Sequence, residues 1–397
     1  MTAVFEGDLY SRAALRDPYP LYARLRDLGP AVWMPRRRMW AVSRYDDVRA
    51  ALRADQALVS GHGVAANETV NRLTAPVTLT SDGEAHDRRR HALIQPLTPA
   101  PLKDLRPRLE AEAADLVDSL ADGRTFDAMA TFAAHLPVTI VAELVGLDAW
   151  ARKRMLRWAA AAFNTLGVMN LRGLAAVPLM RGLARYVRHL DRRDVTPGGW
   201  ADRLFEAADR GVISPSEARA MVIDYVAPAL DTTILATGHM LWRLAVTPGA
   251  YDAVRAEPAL IASVVNESVR LASPIRGFTR YAAEAFELEG ATIPKGDRAL
   301  ILFASANRDP RHYPDADAFE VRRNPRDHVG WGHGPHTCVG MHLARLEMEI
   351  LLAALVERIE RVEADRPTPA WNNVLQGFAR LPARLTPISR AAGARAA

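Results

Sequence analysis

Along most of this chain apolar residues recur three and four positions apart, the period of a helix that buries one face. From Asp82 to about Leu271 the pattern is nearly continuous, interrupted by turn signals at Asp122-Gly123, Thr196-Pro197-Gly198-Gly199 and Pro248-Gly249. Upstream, Asp17-Pro18-Tyr19-Pro20 reads as a turn entering a short amphipathic helix. Met39-Trp40-Ala41-Val42-Ser43 has the content of a strand, and Tyr45 to Leu52 returns to helical period. Downstream, short strands are predicted around Phe286 to Ile293 and Ala299 to Phe303. A proline-punctuated meander then runs to Gly330, and one more helix follows. The pattern predicts a mainly α protein with small β-sheets. No repeat, low-complexity tract or break in composition divides it, so residues 1–397 read as a single domain.

One predicted helix stands apart. Ser214-Pro215-Ser216-Glu217 combines an N-cap serine, proline at the first helical position and glutamate three residues after the cap. Apolar character then continues to about Val246 and stops at Thr247-Pro248-Gly249. At a rise of about 1.5 Å per residue this is a helix of roughly 50 Å, which has to cross the middle of the molecule. Pro228 sits inside it, where proline ordinarily costs about 3 kcal/mol and frees a carbonyl four residues earlier.

Composition narrows the class. Hydrophobic residues make up 49% and charged residues 24% of the 397, ample for a core. No secretory signal pattern stands near Met1 and no uninterrupted apolar stretch of about 20 residues is evident, so a cytoplasmic protein with no membrane partner is expected. The formal net charge is +5, and nearly all the basic residues are arginine, with Lys103, Lys153 and Lys295 the only lysines. The charge is dispersed in short runs such as Arg36-Arg37-Arg38 and Arg88-Arg89-Arg90. That suits docking of an acidic protein better than tracking a nucleic-acid backbone, so no nucleic-acid partner is expected. The single cysteine, Cys338, excludes an intramolecular disulfide and any zinc site that needs several thiolates.

Candidate chemistry gathers around that cysteine. Gly330-Trp331-Gly332-His333-Gly334-Pro335-His336-Thr337-Cys338-Val339-Gly340 leads into a helix marked by Leu343, Leu346, Ile350 and Leu351. A thiol at a helix entry meets free amides and the positive end of the dipole, which favour a thiolate. A lone cysteine beside a glycine-rich turn is ordinarily inert. Here the run resembles the haem-binding signature of the cytochrome P450 family, with an aromatic, two glycines and a basic residue before the cysteine and a glycine after it. Trp331 stands where that family usually has phenylalanine.

The resemblance covers nearly the whole chain and implies a single large P450 fold with the long central helix over haem b, Cys338 as the iron ligand, and dioxygen as co-substrate. Trp331, Gly332 and Gly340 would cradle the cofactor. Glu267-Ser268-Val269-Arg270 matches the Glu-x-x-Arg element, a buried ion pair joined by Arg323. His86, Arg90, Arg280 and His336 look like partners of the haem carboxylates, since buried carboxylates require pairing. Arg88 and Arg89 are left as surface residues. Ala227-Pro228-Ala229-Leu230-Asp231-Thr232-Thr233 resembles the oxygen-binding element, with Asp231 and Thr232 as the acid–alcohol pair that supplies protons.

By the same resemblance the substrate pocket draws on His62 in the loop Ser60 to Asn67, on Phe163 and Leu166, on Ile223, Asp224, Ala227 and Pro228, and on Ile275, Arg276, Phe278, Gln376 and Phe378. The C-terminal half is similar to bacterial members that oxidise para-substituted aromatic acids and to haem domains of self-sufficient fusion enzymes. Asp224 would repel a carboxylate unless Arg276 neutralises it, so a small neutral or phenolic hydrophobic substrate is expected. Electrons would come from a ferredoxin, or a flavodoxin, through an NAD(P)H-dependent reductase. A peroxide-driven peroxygenase and a non-catalytic haem sensor are the alternatives.

Overall fold

The computed structural model describes residues 2–74 and 77–389; the two ends of the 1–397 span lie outside the described residues. The elements that position the site are, in chain order, α1 (Tyr19–Leu28), β1 (Ala31–Met34), β2 (Met39–Val42), α2 (Tyr45–Arg53), β3 (Leu58–Val59), α3 (Glu68–Leu73), α4 (Gly83–Ile94), α5 (Pro99–Leu120), α6 (Met155–Leu166), α7 (Leu171–His189), α8 (Pro215–Val226), α9 (Asp231–Val246), α10 (Ile261–Ala272), β4 (Phe278–Ala282), β5 (Arg298–Ile301), α11 (Met341–Arg358), β6 (Ile359–Ala364) and β7 (Pro382–Pro387).

Helices dominate, and β1 to β5 form one sheet in the order β1-β2-β5-β4-β3. The β1–β2 hairpin pairs Trp33 with Trp40, β2 runs parallel to β5, and β4 lies antiparallel to β5 with Arg280 opposite Ala299. A second small sheet pairs β6 with β7. Phe5, Leu9, Tyr22 and Leu25 pack with Val32 and Met34 in a small cluster that includes Ala41 and Leu300 of the sheet. The main hydrophobic cluster extends from Ala31 to Leu385.

The centre of that cluster is α9. Every residue from Thr233 through Leu241 is buried, as expected of a helix enclosed on all sides. The run Pro215–Val246 has the length and hydropathy of a membrane span, contrary to the sequence reading, but 56% of its most apolar window lies inside the protein.

The predicted single long helix is corrected by the structure. Its start is as expected, with Ser214 Oγ accepting from the Glu217 amide and the Glu217 carboxylate accepting from the Ser214 amide. It then stops at Val226 and resumes at Asp231, with residues 227–230 outside any helix. Pro228 is the physical cause: it has no N–H for the Asp224 carbonyl, and its ring crowds the preceding turn. The last bond of the first half is Ala227 N to the Ile223 carbonyl at 2.9 Å.

Candidate haem site

The cysteine segment folds as two tight turns, Val329–Trp331 and Gly334–His336, closed by a 2.8 Å bond from Cys338 N to the Trp331 carbonyl. Gly332 and Gly334 both have φ of +73°, where side chains are disfavoured. The need for glycine at 334 also comes from α2: a Cβ there would stand 2.5 Å from the Leu52 carbonyl oxygen. Gly340 is the N-cap of α11.

Cys338 presents open surface although it lies deep in the protein. Burial pushes its thiol up, while the amides of Gly340 and Met341 and the Arg90 guanidinium pull it down.

Four basic side chains surround this segment. His86 and Arg90 lie one turn apart on α4, and the His86 ring sits 4.3 Å from that of His336. Arg280 on β4 is buried, and desolvation pushes it down to about 10 against the pull of Asp82. Asp82 was not singled out in the sequence, where Asp-Gly before a helical run reads only as a cap. Its Oδ1 and Oδ2 accept from the amides of Ser60 at 2.9 Å and Gly61 at 2.6 Å, and Oδ1 stands 3.7 Å from His336 Nε2. Although its own desolvation opposes it, those partners hold the Asp82 carboxyl below the usual range.

Arg280 and His336 thus face Asp82, while His86 Nδ1 meets Asp87 Oδ1 at 3.1 Å and Arg90 feels the same carboxylate, which stands mostly in solvent. The ring nitrogens His86 Nε2 and Trp331 Nε1 are buried with no partner. Such a surplus of donors around an accessible sulfur fits a flat cofactor that carries two carboxylates.

The same helix, α4, reaches the broken helix. Arg88 and Arg89, expected at the surface, both bond Glu217 of α8 at 3.0 and 2.9 Å, and Arg89 is buried. Tyr225 Oη donates to the Leu93 carbonyl at 2.6 Å. Beyond the break, Asp231 Oδ2 is buried without a partner, and desolvation pushes the carboxyl up to about 7. Thr232 Oγ1 donates to the Pro228 carbonyl at 2.9 Å. The break thereby sets the acid–alcohol pair at a helix start, with the hydroxyl's proton engaged and its lone pairs free.

The residues expected in the pocket divide. Asp224 Oδ2 accepts from the Thr78 amide at 3.0 Å, and burial pushes its carboxyl up to about 6. Its nearby cation is Arg89, and Arg276, whose approach would have neutralised it, lies elsewhere. Arg276 turns toward the N-terminal helices, where Nη2 donates to the Leu15 carbonyl at 2.6 Å among Tyr10, Tyr19 and Tyr22. Phe378 is committed to His239 and Trp242, two turns along α9 from Thr232, and Gln376 Nε2 bonds Tyr19 Oη and the Ala272 carbonyl. His62 stacks on Tyr281 at 4.4 Å, and Phe278 meets Phe303 edge-on. Ile275 bridges to Leu375, Phe163 is buried in the main cluster, and Leu166 packs beside it. Ala227 and Pro228 lie in the break itself.

The ion pair on α10 is fully buried. Arg270 Nε and Nη2 each reach Glu267 at 2.7 Å, and Arg323 Nε adds a 3.2 Å contact to the same carboxylate. Arg270 also serves the carbonyls of Asn307, Ala316 and Ala318, which locks the meander onto the helix.

Comparison with known proteins agrees with this arrangement. The family model described as Cytochrome P450 matches residues 200–385. The chain is 34% identical over 377 residues to Cytochrome p450 CYP199A2 of Rhodopseudomonas palustris (strain ATCC BAA-98 / CGA009), covering 94% of this chain and 92% of that protein. It is 32% identical over 391 residues to beta-dihydromenaquinone-9 omega-hydroxylase of Mycobacterium tuberculosis (strain ATCC 25618 / H37Rv), covering 96% of this chain and 78% of that protein. Among solved structures, CalO2 superposes with a TM-score of 0.82 at 28% identity, over 96% of this chain and 99% of that one. On the extent of that similarity, the chain belongs to the cytochrome P450 family.

Proposed function

We propose that this protein is a cytoplasmic haem-thiolate monooxygenase, with Cys338 as the iron ligand, that hydroxylates or O-dealkylates a small hydrophobic and preferably aromatic substrate. Family membership makes it a P450 monooxygenase that uses haem b, with dioxygen as co-substrate. The observation that carries the ligand role is the accessible, deeply set Cys338 beside His86, Arg90, Arg280 and His336, with the buried ring nitrogens His86 Nε2 and Trp331 Nε1 left without a partner. Bound there, haem supplies the activation of dioxygen and the transfer of one oxygen atom to substrate.

The chain's own part is binding and proton handling. With haem bound, His86, Arg90, Arg280 and His336 would pair the cofactor's carboxylates, and Trp331 would stack near the sulfur. Asp231 holds a proton on its buried carboxyl up to about pH 7, so it can give and regain one under neutral conditions. Thr232, donating to the Pro228 carbonyl, is oriented to accept from a group within the pocket. Asp224 supports the substrate preference: its nearby cation is Arg89 rather than Arg276, and above about pH 6 its own carboxylate disfavours an incoming one.

Electrons come from a ferredoxin, or a flavodoxin, reduced by an NAD(P)H-dependent reductase. A surface groove of about 310 Å³ between α5 and α11, lined by Lys103, Arg106, His342 and Arg345 along with Glu349, supports an acidic partner there. The proposal is tested by Cys338→His in the reduced, carbonylated protein. The thiolate-type absorption maximum should be lost in the variant; its retention would exclude Cys338 as the ligand.

A further inference from the structure

Between Asp148 and Asp191 the chain carries no acidic residue, and its basic side chains gather where the start of α6 meets the end of α7. The short turn between the helices sets them antiparallel. The Tyr186 ring on α7 accordingly lies 5.4 Å from Trp158 on α6 and 5.8 Å from Trp150 just ahead of it. Arg152, Lys153 and Arg157 on one side and Arg181, Arg185 and Arg188 on the other are all exposed. Among the described residues none of the six has a carboxylate within 4.0 Å.

Exposed arginines elsewhere do find partners. Arg106 meets Glu110 at 3.1 Å, Arg108 meets Glu143 at 2.9 Å and Arg322 meets Glu257 at 2.7 Å. The acids at the margin of the basic surface are already engaged. Asp148 accepts from Tyr186 Oη at 3.0 Å, and Asp191 and Asp194 cap the turn that follows α7. Six unpaired cations on two adjoining helices repel one another, and no ion pair within the chain offsets that repulsion.

The layout indicates what would. Arg181, Arg185 and Arg188 are four and three residues apart, so they line one side of α7 over about 10 Å. A helix bearing carboxylates at the same spacing presents a matching row, and each guanidinium fork suits a carboxylate. Trp150 is 51% exposed beside them, and tryptophan, tyrosine and arginine together are the residues of protein-interface centres. Its ring is not open to stack on a base, because Arg154 lies over it at 3.8 Å and Trp158 and Tyr186 pack around it. A bilayer would need more apolar surface than one indole, and the exposed Leu171 and Leu174 belong to the other end of α7, about three turns before Arg185.

We propose that the start of α6 and the second half of α7 form a docking surface for an acidic helix of a partner protein. The surface shares no residue with the groove between α5 and α11, and the proposal depends on neither the haem nor the substrate.

The probe is a fluorescein-labelled, hydrocarbon-stapled peptide of alanine and glutamine with glutamates at repeated i, i+4, i+7 positions and one leucine beside them. A control peptide of the same composition spreads its glutamates around the helix. Binding to the holoprotein is read by anisotropy at about 0.1 M salt. The one-sided peptide should bind about tenfold tighter than the control. Arg181→Glu, Arg185→Glu and Arg188→Glu together should weaken it about thirtyfold, since three attractions become repulsions, and the three glutamine replacements about fivefold. Trp150→Ala should weaken it about fivefold. Lys103→Glu, Arg106→Glu and Arg345→Glu together, in the α5–α11 groove, should change it less than twofold. The thermal midpoint and carbonyl spectrum of each variant, matched to the parent, show that it is folded. Equal binding of the two peptides would overturn the proposal, as would undiminished binding by the α7 variants or by Trp150→Ala, or an equal loss in the groove variant. So would tighter binding, dependent on the same three arginines, of a short DNA duplex or of phosphatidylglycerol vesicles, which would make the occupant a nucleic acid or a membrane.

Discussion

Replacing Asp231 with asparagine should make the protein more stable and a poorer enzyme. The carboxyl has an ordinary value of 3.8 and is pushed up to about 7 by desolvation, with Oδ2 buried and unpartnered. An acid that holds its proton more tightly when folded loses stability as pH rises, because the unfolded chain ionises first. That loss begins near the unfolded value and is complete above the folded one, and across the window it amounts to about 4 kcal/mol. An amide of the same shape carries no such dependence. The stability difference in favour of Asp231→Asn should therefore grow by about 3 kcal/mol between pH 5 and pH 8. Urea unfolding of both holoproteins at several pH values, followed by far-UV circular dichroism, measures it. A difference that is constant across that range would refute the reasoning, since it would mean that Asp231 is ionised in the folded protein throughout. In turnover at pH 7 the same variant should consume reducing equivalents with less product, because the proton held at Oδ2 is gone.

Two further outcomes follow from the geometry. Thr232→Ala should keep haem and carbon monoxide binding but uncouple oxygen consumption from product formation, measured as product per NAD(P)H in a reconstituted system; full coupling would remove the hydroxyl from proton handling. Glu267→Ala leaves the fully buried Arg270 with carbonyls alone and should destabilise the fold by about 3–5 kcal/mol, read from the urea midpoint; a loss below about 1 kcal/mol would show that the ion pair does not lock the meander.

Much of this site was legible because its chemistry is encoded at short range. A glycine-rich run ending in the single cysteine, a Glu-x-x-Arg pair one turn apart and His86 with Arg90 on one helical face depend only on spacing along the chain. The strand at Met39–Val42 and the capping box at Ser214 were readable for the same reason.

Pro228 shows where such reading stops. The apolar period runs through it unbroken, so the sequence pattern predicts one helix, yet the missing N–H ends α8 at Val226. Tertiary packing then supplies a second helix start at Asp231, and with it the desolvated carboxyl to which we assign proton handling. Arg276 and Asp224 were close enough in type and expected place to be paired on paper, but Arg276 found the Leu15 carbonyl and Asp224 the Thr78 amide. Arg89 left the surface for Glu217, and Asp82 joined the basic cluster through amides of a loop some twenty residues away. Periodicity and motif spacing report which faces are apolar and which groups are chemically able to act. They carry no information about which of many compatible partners, distant in sequence, will meet, because that choice is made by the simultaneous burial of all the elements at once.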